Sequence, residues 1–250
     1  MFFQRLIAAL RTRSQSALVI ELAVLTLGVF LAFQVDRWYE SYREHQLVAE
    51  YVARLERDLQ ADINTLASIG ESTELRIRSI DLLTASISDP GVVDEDPTAF
   101  IVALEQSIYR FQLVVSDATY QELLSTGQMM LLPADTRGLL YEYYGHNSNF
   151  RQFKPAIDAI QAQSFDRFAG IVTPELFSDY LMDPFRSEKT TYTKEEARAA
   201  AKRFWQNREA IDWLGRLKQT QMQIGLQSEW TRNLARSLIE HLEGLRAPTS

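Results

Sequence analysis

The feature that most constrains this chain is a run of nineteen residues, from Ala17 to Val35, that are nearly all apolar. As a helix, which rises about 1.5 Å per residue, the run is about 28 Å long, close to the ~30 Å hydrocarbon core of a bilayer. It is the only such run in the 250-residue sequence. The sequence therefore predicts a single transmembrane helix, which we assign to residues 17–36.

Two other interpretations of the run fit its surroundings less well. A cleaved signal peptide agrees with the arginines at positions 5, 11 and 13, but its apolar region is normally shorter. It also needs a small-x-small cleavage site, which residues 33–38 lack. A buried core helix normally keeps one polar face, and the run has none. We therefore expect a retained single-pass anchor.

Both flanks of the run carry residues that are typical of a membrane surface. Residues 1–16 contain three arginines and no acidic residue. They are predicted to form either a short amphipathic helix in the interface or the beginning of the spanning helix. After the run, aromatic side chains suit the level of the lipid headgroups. The residues assigned to this second interface are Asp36, Arg37, Trp38 and Tyr39.

The orientation of the anchor follows from a small asymmetry. Three Lys or Arg residues precede the run and three follow within about 20 residues, so the count that usually decides orientation is level. Acids are mixed with the arginines on the C-terminal side only. This favours a cytoplasmic N-terminus, residues 1–16, and a main domain, residues 37–250, on the other side of the membrane.

Four residues within the run are unusual for a surface that faces lipid: Glu21, Gly28, Ala32 and Gln34. At about 100° per residue, Glu21, Gly28 and Ala32 project within about 40° of one another. Gly-x-x-x-Ala allows a second helix to approach closely, and an ionisable residue in a span is costly unless paired or hydrated. We predict that these four residues contact another membrane helix. The alternative is a solvated Glu21 at headgroup depth beside a small-residue pair of the common kind.

Beyond the run, the sequence predicts long helices. Apolar residues recur every three or four positions up to Pro90, and Gly70 is a point at which one helix would bend or divide into two. Thr193 and Glu196 form the Thr-x-x-Glu pattern of a capping box, followed by a helical pattern as far as Leu245. We expect an all-α fold: one transmembrane helix followed by a helical bundle with long antiparallel helices.

The middle of the chain predicts shorter elements. Residues 88–97 are a loop rich in Pro and Gly, and helices are expected over residues 97–115 and 117–125. A longer helix begins at Pro133, and Pro155 is expected to kink or interrupt it. The segment 110–117 is a weak candidate for a strand without a partner.

Composition excludes several classes of function. The chain has a formal net charge of −7 and no basic stripe, which argues against nucleic-acid binding. It contains no Cys, which excludes thiol nucleophiles, thiolate metal sites and disulfides. Its three histidines have no partner at metal-ligand spacing, so we predict no metal and no cofactor. These histidines are His45, His146 and His241.

No catalytic motif is present, and we predict that the protein is not an enzyme. The sequence lacks a nucleophile elbow, a phosphate-binding Gly loop and a calcium loop. Acids on the first long helix, Glu56, Asp58 and Asp62, are interpreted as a solvated face. The tyrosines at positions 141, 143 and 144 are interpreted mainly as core, because aromatic residues at helical spacing usually pack inside.

The span and the segment after it resemble a family of bacterial single-pass membrane proteins of unknown function. In that family a Glu near the start of the span is followed by Gly, Leu-Ala-x-Gln, an acid or amide, and Trp-x-Glu, and then by Tyr-Leu-x-x-Leu-x-x-Asp-Leu. Val52 replaces the usual Leu, and Arg37 and Tyr39 stand where amides are common. The resemblance implies a location in the bacterial inner membrane with a periplasmic helical domain, and it implies no activity. The matching residues are Glu21, Gly28, Leu31, Ala32, Gln34, Asp36, Trp38, Glu40, Tyr51, Leu55, Asp58 and Leu59.

Two classes of function follow from these observations. The first is a non-enzymatic interaction protein, in contact with the lipid bilayer, that stabilises a larger membrane assembly as an accessory subunit or associates with itself through its span. The second is a periplasmic helical domain that senses or binds a ligand, with Tyr141, Tyr143, Tyr144 and Phe150 around the ligand. A sensor would act through a separate partner, since residues 1–16 are too few for an output element.

Overall fold

A computed structural model of the chain describes residues 15–108, 115–173, 176 and 191–246. Residues 1–14, most of the segment 174–190 and most of the candidate strand 110–117 lie outside this description. The chain divides into two compact units, Met1–Ala53 and Arg54–Ser250, which are described separately here.

The first helix, α1, extends from Gln15 to Ser88 without a break. Gly70 neither ends nor divides it, so the alternative of two helices is wrong. A Cβ added at Gly70 would meet no atom within 4 Å, which shows that no close packing contact demands a glycine there. A long run of apolar and good helix-forming residues without proline is sufficient to explain the continuity of α1.

Four short elements follow α1. Asp96 caps the helix Pro97–Gln106, because its Oδ1 accepts a hydrogen bond from the amide of Ala99 at 2.8 Å. Gly127, with φ of +73°, makes the left-handed turn between the helix Ala118–Ser125 and the short helix that follows it. The predicted helix 97–115 is shorter than expected within the described residues. The elements are α2 (Val92–Glu95), α3 (Pro97–Gln106), α4 (Ala118–Ser125) and a 3₁₀ helix (Gln128–Leu131).

Three longer helices complete the described part of the chain: α5 (Ala134–Phe168), α6 (Lys194–Gln206) and α7 (Arg208–Arg246). Pro155 lies inside α5 and does not interrupt it. The capping box at α6 is confirmed: Thr193 Oγ1 accepts from the Glu196 amide at 3.2 Å, and Glu196 Oε2 accepts from the Thr193 amide at 2.8 Å. The break after α6 occurs at Asn207, as expected.

Within the unit Arg54–Ser250, the long helices pack in opposite chain directions. Helix α5 packs along α7, with Thr136 next to His241 near one end and Ser164 next to Trp213 near the other. The contacts of α1 with α6 and α7 also run in opposite order along the two segments. These pairs are Ser86 with Trp205, Asp81 with Lys218, and Thr73 with Gly225.

The hydrophobic core of this unit has one large cluster and one small cluster. In the large cluster, α2, α3 and α6 meet the ends of α1 and α5, and Phe204 lies between the rings of Phe100 and Phe168. In the small cluster, Leu66 and Ile69 of α1 contact Ile224 of α7. The described residues contain helices and a single isolated bridge but no strand, so the all-α prediction is confirmed.

Candidate functional site

The candidate site is the exposed apolar half of α1. Every side chain from Leu22 to Gln46 is exposed, including large apolar ones such as Leu25 (64% exposed) and Phe30 (55%). The helix is long and apolar enough to cross a membrane, and none of its most apolar window is buried. Leaving this much apolar surface in water is costly, at about 25 cal/mol per Å². An apolar environment around the segment would remove this cost.

The predicted contact residues lie on this helix in two directions. Gly28 and Ala32 are four positions apart and share a side of α1, and a Cβ added at Gly28 would meet no atom within 4 Å. A second backbone therefore has unobstructed access to Gly28. Gln34 is exposed but lies about 120° around the helix from Gly28. Glu21 belongs to α1, and its side chain lies outside the described residues.

The residues predicted at the membrane interface directly follow the apolar segment in the same helix. Asp36, Arg37, Trp38 and Tyr39 are all exposed. Trp38 stacks on Tyr42, with ring centroids 6.1 Å apart. Two exposed aromatic rings next to the end of a span, with polar and charged neighbours, are typical of the headgroup level.

Several polar side chains in or near the apolar segment form hydrogen bonds within α1. Thr26 Oγ1 donates to the carbonyl oxygen of Leu22 at 2.8 Å, which satisfies a hydroxyl within the apolar surface. Past the segment, Gln46 Nε2 donates to the Tyr42 hydroxyl at 2.8 Å, and His45 Nδ1 lies 2.6 Å from the Ser41 carbonyl oxygen.

A second group of polar residues lies inside the unit Arg54–Ser250, and the sequence analysis misplaced it. Asp62 is 2% exposed, so its assignment to a solvated face is wrong. Its Oδ1 accepts from the amide of Ser116 at 2.9 Å and its Oδ2 accepts from the Tyr143 hydroxyl at 2.8 Å. Burial is the largest influence on this carboxyl and raises its pKa above the ordinary value.

Other polar contacts surround Asp62 and join α1 to α4 and α5. Thr119 Oγ1 donates to Asp58 Oδ2 at 2.6 Å, and the guanidinium of Arg54 forms a two-pronged ion pair with the carboxylate of Glu122. Arg151 donates to Asp117 at 2.8 Å. Because each carboxylate has its own donor, the group is best explained as a structural network that fixes α4 and the segment before it on α1.

The aromatic residues next to this network are mostly core. Tyr143 and Tyr144 are buried, and their rings meet edge to face with centroids 4.9 Å apart. Tyr144 also stacks on Tyr120, with centroids 4.1 Å apart. Tyr141 is 48% exposed and contributes little to the core. These contacts fill the space in which a ligand between the tyrosines would lie.

A spacing signal in the sequence identifies the buried polar residues. Along α1, nine buried positions from Leu55 to Leu83 follow one another at steps of four and three, which is the a and d spacing of a coiled coil, and Ile63 and Ser79 are buried beside them. Asp62, Thr73 and Arg76 occupy three of these nine positions among apolar residues. Counting apolar residues alone conceals the pattern. The nine positions are Leu55, Leu59, Asp62, Leu66, Ile69, Thr73, Arg76, Ile80 and Leu83.

One further buried acid lies in the large core cluster. Glu105 of α3 is 1% exposed, and its Oε1 accepts a hydrogen bond from the Tyr192 hydroxyl at 3.4 Å. Burial raises the pKa of Glu105 to about 7, and the Tyr192 hydrogen bond opposes that rise. Glu105 therefore titrates near neutral pH, where most carboxyl groups are fully ionised.

The histidines occupy three separate places. His45 bonds within its own helix, His146 lies against Trp230 with ring centroids 4.4 Å apart, and His241 contacts the Thr136 hydroxyl at 2.9 Å. In the part of the chain that the structure describes, no three His, Asp or Glu side chains are grouped closely enough to hold a metal ion.

No protein-family model, curated protein or solved structure matches this chain. The family resemblance seen in the sequence therefore stays a prediction.

Proposed function

We propose that this protein is a single-pass membrane protein that works by binding another membrane helix and not by catalysis. The exposed apolar part of α1 lies in the bilayer, and its small-residue side receives the helix of a partner. The protein stabilises a membrane assembly as an accessory subunit or as a homo-oligomer.

The observation that carries this proposal is the complete exposure of the apolar segment. A core helix of a soluble protein is mostly buried, whereas none of this window is. The continuity of α1 from Gln15 to Ser88 supports a retained anchor, because the residues after the span stay helical where a signal peptidase requires an accessible cleavage site.

The proposed topology has the N-terminus in the cytoplasm and the helical bundle in the bacterial periplasm. Asp36 to Tyr39 then lie at the outer headgroup level, and the unit Arg54–Ser250 is outside the cytoplasm. The absence of acids before the span supports this orientation. Fusion of a periplasm-active phosphatase to the C-terminus should give active enzyme, and inactive fusion protein in intact cells would reverse the topology.

The test of the proposed function is purification of the full-length chain in a mild detergent, followed by mass spectrometry. Wild-type protein is expected to retain a partner or a second copy. The double variant Gly28→Leu with Ala32→Leu should lose it, because added side chains separate the helix backbones.

The matched control for this test is Ala23→Leu. Ala23 is exposed in the same apolar segment but lies about 180° from Ala32 on the helix. It should retain the partner. A wild-type chain that purifies alone as a monomer, or an assembly unaffected by the double variant, would refute the proposed function.

A further inference from the structure

The exposed part of α1 carries a regular seam that continues past the membrane segment. We define the seam as Gly28, Ala32, Val35, Tyr39, Tyr42 and Gln46. These residues are separated by steps of four and three, the a and d spacing of a left-handed coiled coil. Within the apolar segment the seam consists of Gly28, Ala32 and Val35. Beyond the segment, on the same side of the helix, it consists of two tyrosines and one glutamine.

All six seam residues are exposed, whereas several residues on the opposite side of α1 near position 50 are not. Near residue 50, Tyr51 and Val52 are buried and Leu47 and Val48 are partly buried, whereas Gln46 and Ala49 are exposed. In the heptad register, Val48 and Tyr51 occupy the c and f positions, which lie opposite a and d.

We propose that the seam binds a second copy of this chain, forming a parallel homodimer through the membrane and the segment that follows it. This inference rests on the proposed function, because a single-pass protein inserts all its copies in one orientation. Two copies then meet in parallel, so that each seam residue faces its own counterpart.

Charge complementarity at the borders of the seam identifies a second copy as the partner. In a parallel dimer, a residue at position g faces the residue five positions later in the other copy, at position e. This rule pairs His45 with Glu50 and Trp38 with Arg43. The first pair is an imidazole with a carboxylate, which attract each other when both ring nitrogens carry a proton, and the second is a guanidinium with an indole face.

The residues in these pairs are available for such contacts. Arg43 and Glu50 are exposed and form no ion pair within the described residues. His45 uses Nδ1 at its own Ser41 carbonyl, which leaves Nε2 for a neighbour. Like charges do not meet in either pair, so parallel pairing in this register is favoured at both borders.

The polar positions of the seam fix its register. Gln46 occupies an a position, and one polar residue at such a position specifies pairing and register at some cost in stability. Glu21 lies one heptad before Gly28 and outside the seam, and two copies of this acid would be neighbours in the dimer. Gln34 is at a c position, so in this dimer it faces away from the seam, unlike the contact role that the sequence analysis predicts for it.

Disulfide cross-linking in native membranes tests the homodimer directly, because the chain contains no Cys. Single cysteines replace the seam residues Tyr39, Tyr42 or Gln46, and matched controls are Ser41→Cys and Glu44→Cys on the opposite side of the helix. The seam variants should form oxidised dimers several-fold faster than the controls. Equal rates on both sides, or no cross-linking at the seam, would overturn the proposal.

A charge-reversal experiment tests the parallel register. His45→Lys should strengthen dimerisation of the full-length protein by about two- to tenfold, the effect expected for exposed charge pairs that occur twice in a symmetric dimer. Adding Glu50→Lys should reverse this gain, since two cations then meet in each pair. A double variant that dimerises as strongly as His45→Lys alone would refute the register.

The two proposals fail in distinguishable ways. If the chain is in the membrane and co-purifies with a different protein, but the seam does not cross-link, then the homodimer is wrong and the interaction function stands. If wild-type protein is found outside the membrane fraction, both proposals are wrong.

Discussion

The hydroxyl of Tyr143 on α5 donates a hydrogen bond to Oδ2 of Asp62 on α1 at 2.8 Å, and both side chains are almost completely buried. The other carboxylate oxygen of Asp62 accepts from the amide of Ser116. One acid thus connects two helices and the segment that leads into α4. The cost of burying the acid is offset only while both of its donors are in place.

Tyr143→Phe should destabilise the protein by about 1–3 kcal/mol, because it leaves a buried carboxylate oxygen without its donor. In a unit of this size, that loss lowers Tm by about 2–4 °C per kcal/mol. Tm is measured by circular dichroism on the full-length protein in detergent. Tyr141→Phe is the control, since Tyr141 is 48% exposed, and equal Tm values for the two variants would contradict the assigned role of Tyr143.

The loss of stability on substituting Asp62 should depend more on the hydrogen bonds that the new side chain can form than on its charge. Asp62→Asn keeps a carbonyl oxygen for the Ser116 amide and supplies an NH₂ group to the Tyr143 oxygen. It should therefore destabilise the protein less than Asp62→Ala does. The alanine variant removes both acceptors and leaves a cavity. Chemical unfolding of the two variants in the same detergent makes the comparison, and an asparagine variant as unstable as alanine would be evidence against the network.

Glu105 should make stability fall as pH rises through neutrality. Its pKa in the folded protein is about 7, above the ordinary value of 4.5, so between these values the folded state holds a proton that the unfolded state has lost. The contribution of this group is then full below about pH 4.5 and decreases by up to about 1.4 kcal/mol per pH unit until about pH 7.

Glu105→Gln should remove this dependence, raising Tm at pH 8 relative to wild type and changing it less at pH 5. Exposed Glu240→Gln, which makes the same change in charge, is the control. Tm is recorded from pH 5 to pH 8 for all three proteins. If Tm of Glu105→Gln changes with pH as steeply as that of the wild type, another group controls the pH dependence of stability.

Thr193→Ala should lower stability by about 1 kcal/mol, the usual effect of losing an N-cap hydroxyl. Thr193 accepts from the Glu196 amide and also donates from its Oγ1 to Glu196 Oε2. Thr193→Ser keeps both bonds and should be nearly neutral. Thr191→Ala, two residues earlier and exposed, serves as the control, and a Thr193→Ala variant that matches it in Tm would contradict the cap.

Two glycines of α7 should respond differently to alanine. A Cβ at Gly215 would meet nothing within 4 Å, so Gly215→Ala should gain about 0.5–1 kcal/mol from helix propensity. A Cβ at Gly225 would lie 3.2 Å from Cγ2 of Thr73 on α1. Gly225→Ala should therefore stabilise the protein less than Gly215→Ala does, and Gly225→Leu should destabilise it. Equal gains for both alanine variants would mean that α1 and α7 are not this close.

Local signals in the sequence predicted several parts of the fold because they depend on neighbouring residues only. The Thr193–Glu196 capping box, the break at Asn207 and the all-α class follow from such signals. Of the two outcomes expected at Pro155, a kink or an interruption, the interruption does not occur: proline removes one hydrogen bond, but the packing of α5 along α7 keeps the helix continuous. Tertiary contact outweighs the local preference there.

The buried acids were harder to predict because their burial depends on residues distant in sequence. Asp62 meets Ser116 and Tyr143, which are 54 and 81 positions away. The steps of four and three between the buried positions of α1 from Leu55 to Leu83 mark the position of Asp62, but no local rule identifies the groups that donate to it. The candidate site on the apolar segment was easier to find, because the length and apolar character of residues 17–35 can be read directly from the sequence.

The central claim, that the exposed half of α1 lies in a membrane, is tested most directly by alkaline carbonate extraction of membranes from cells that express the full-length chain. We predict that wild-type protein stays in the membrane pellet. A variant with Leu27→Arg and Phe30→Arg should be released, because charges near the middle of a span disfavour insertion. Release of the wild-type protein into the supernatant would contradict the account.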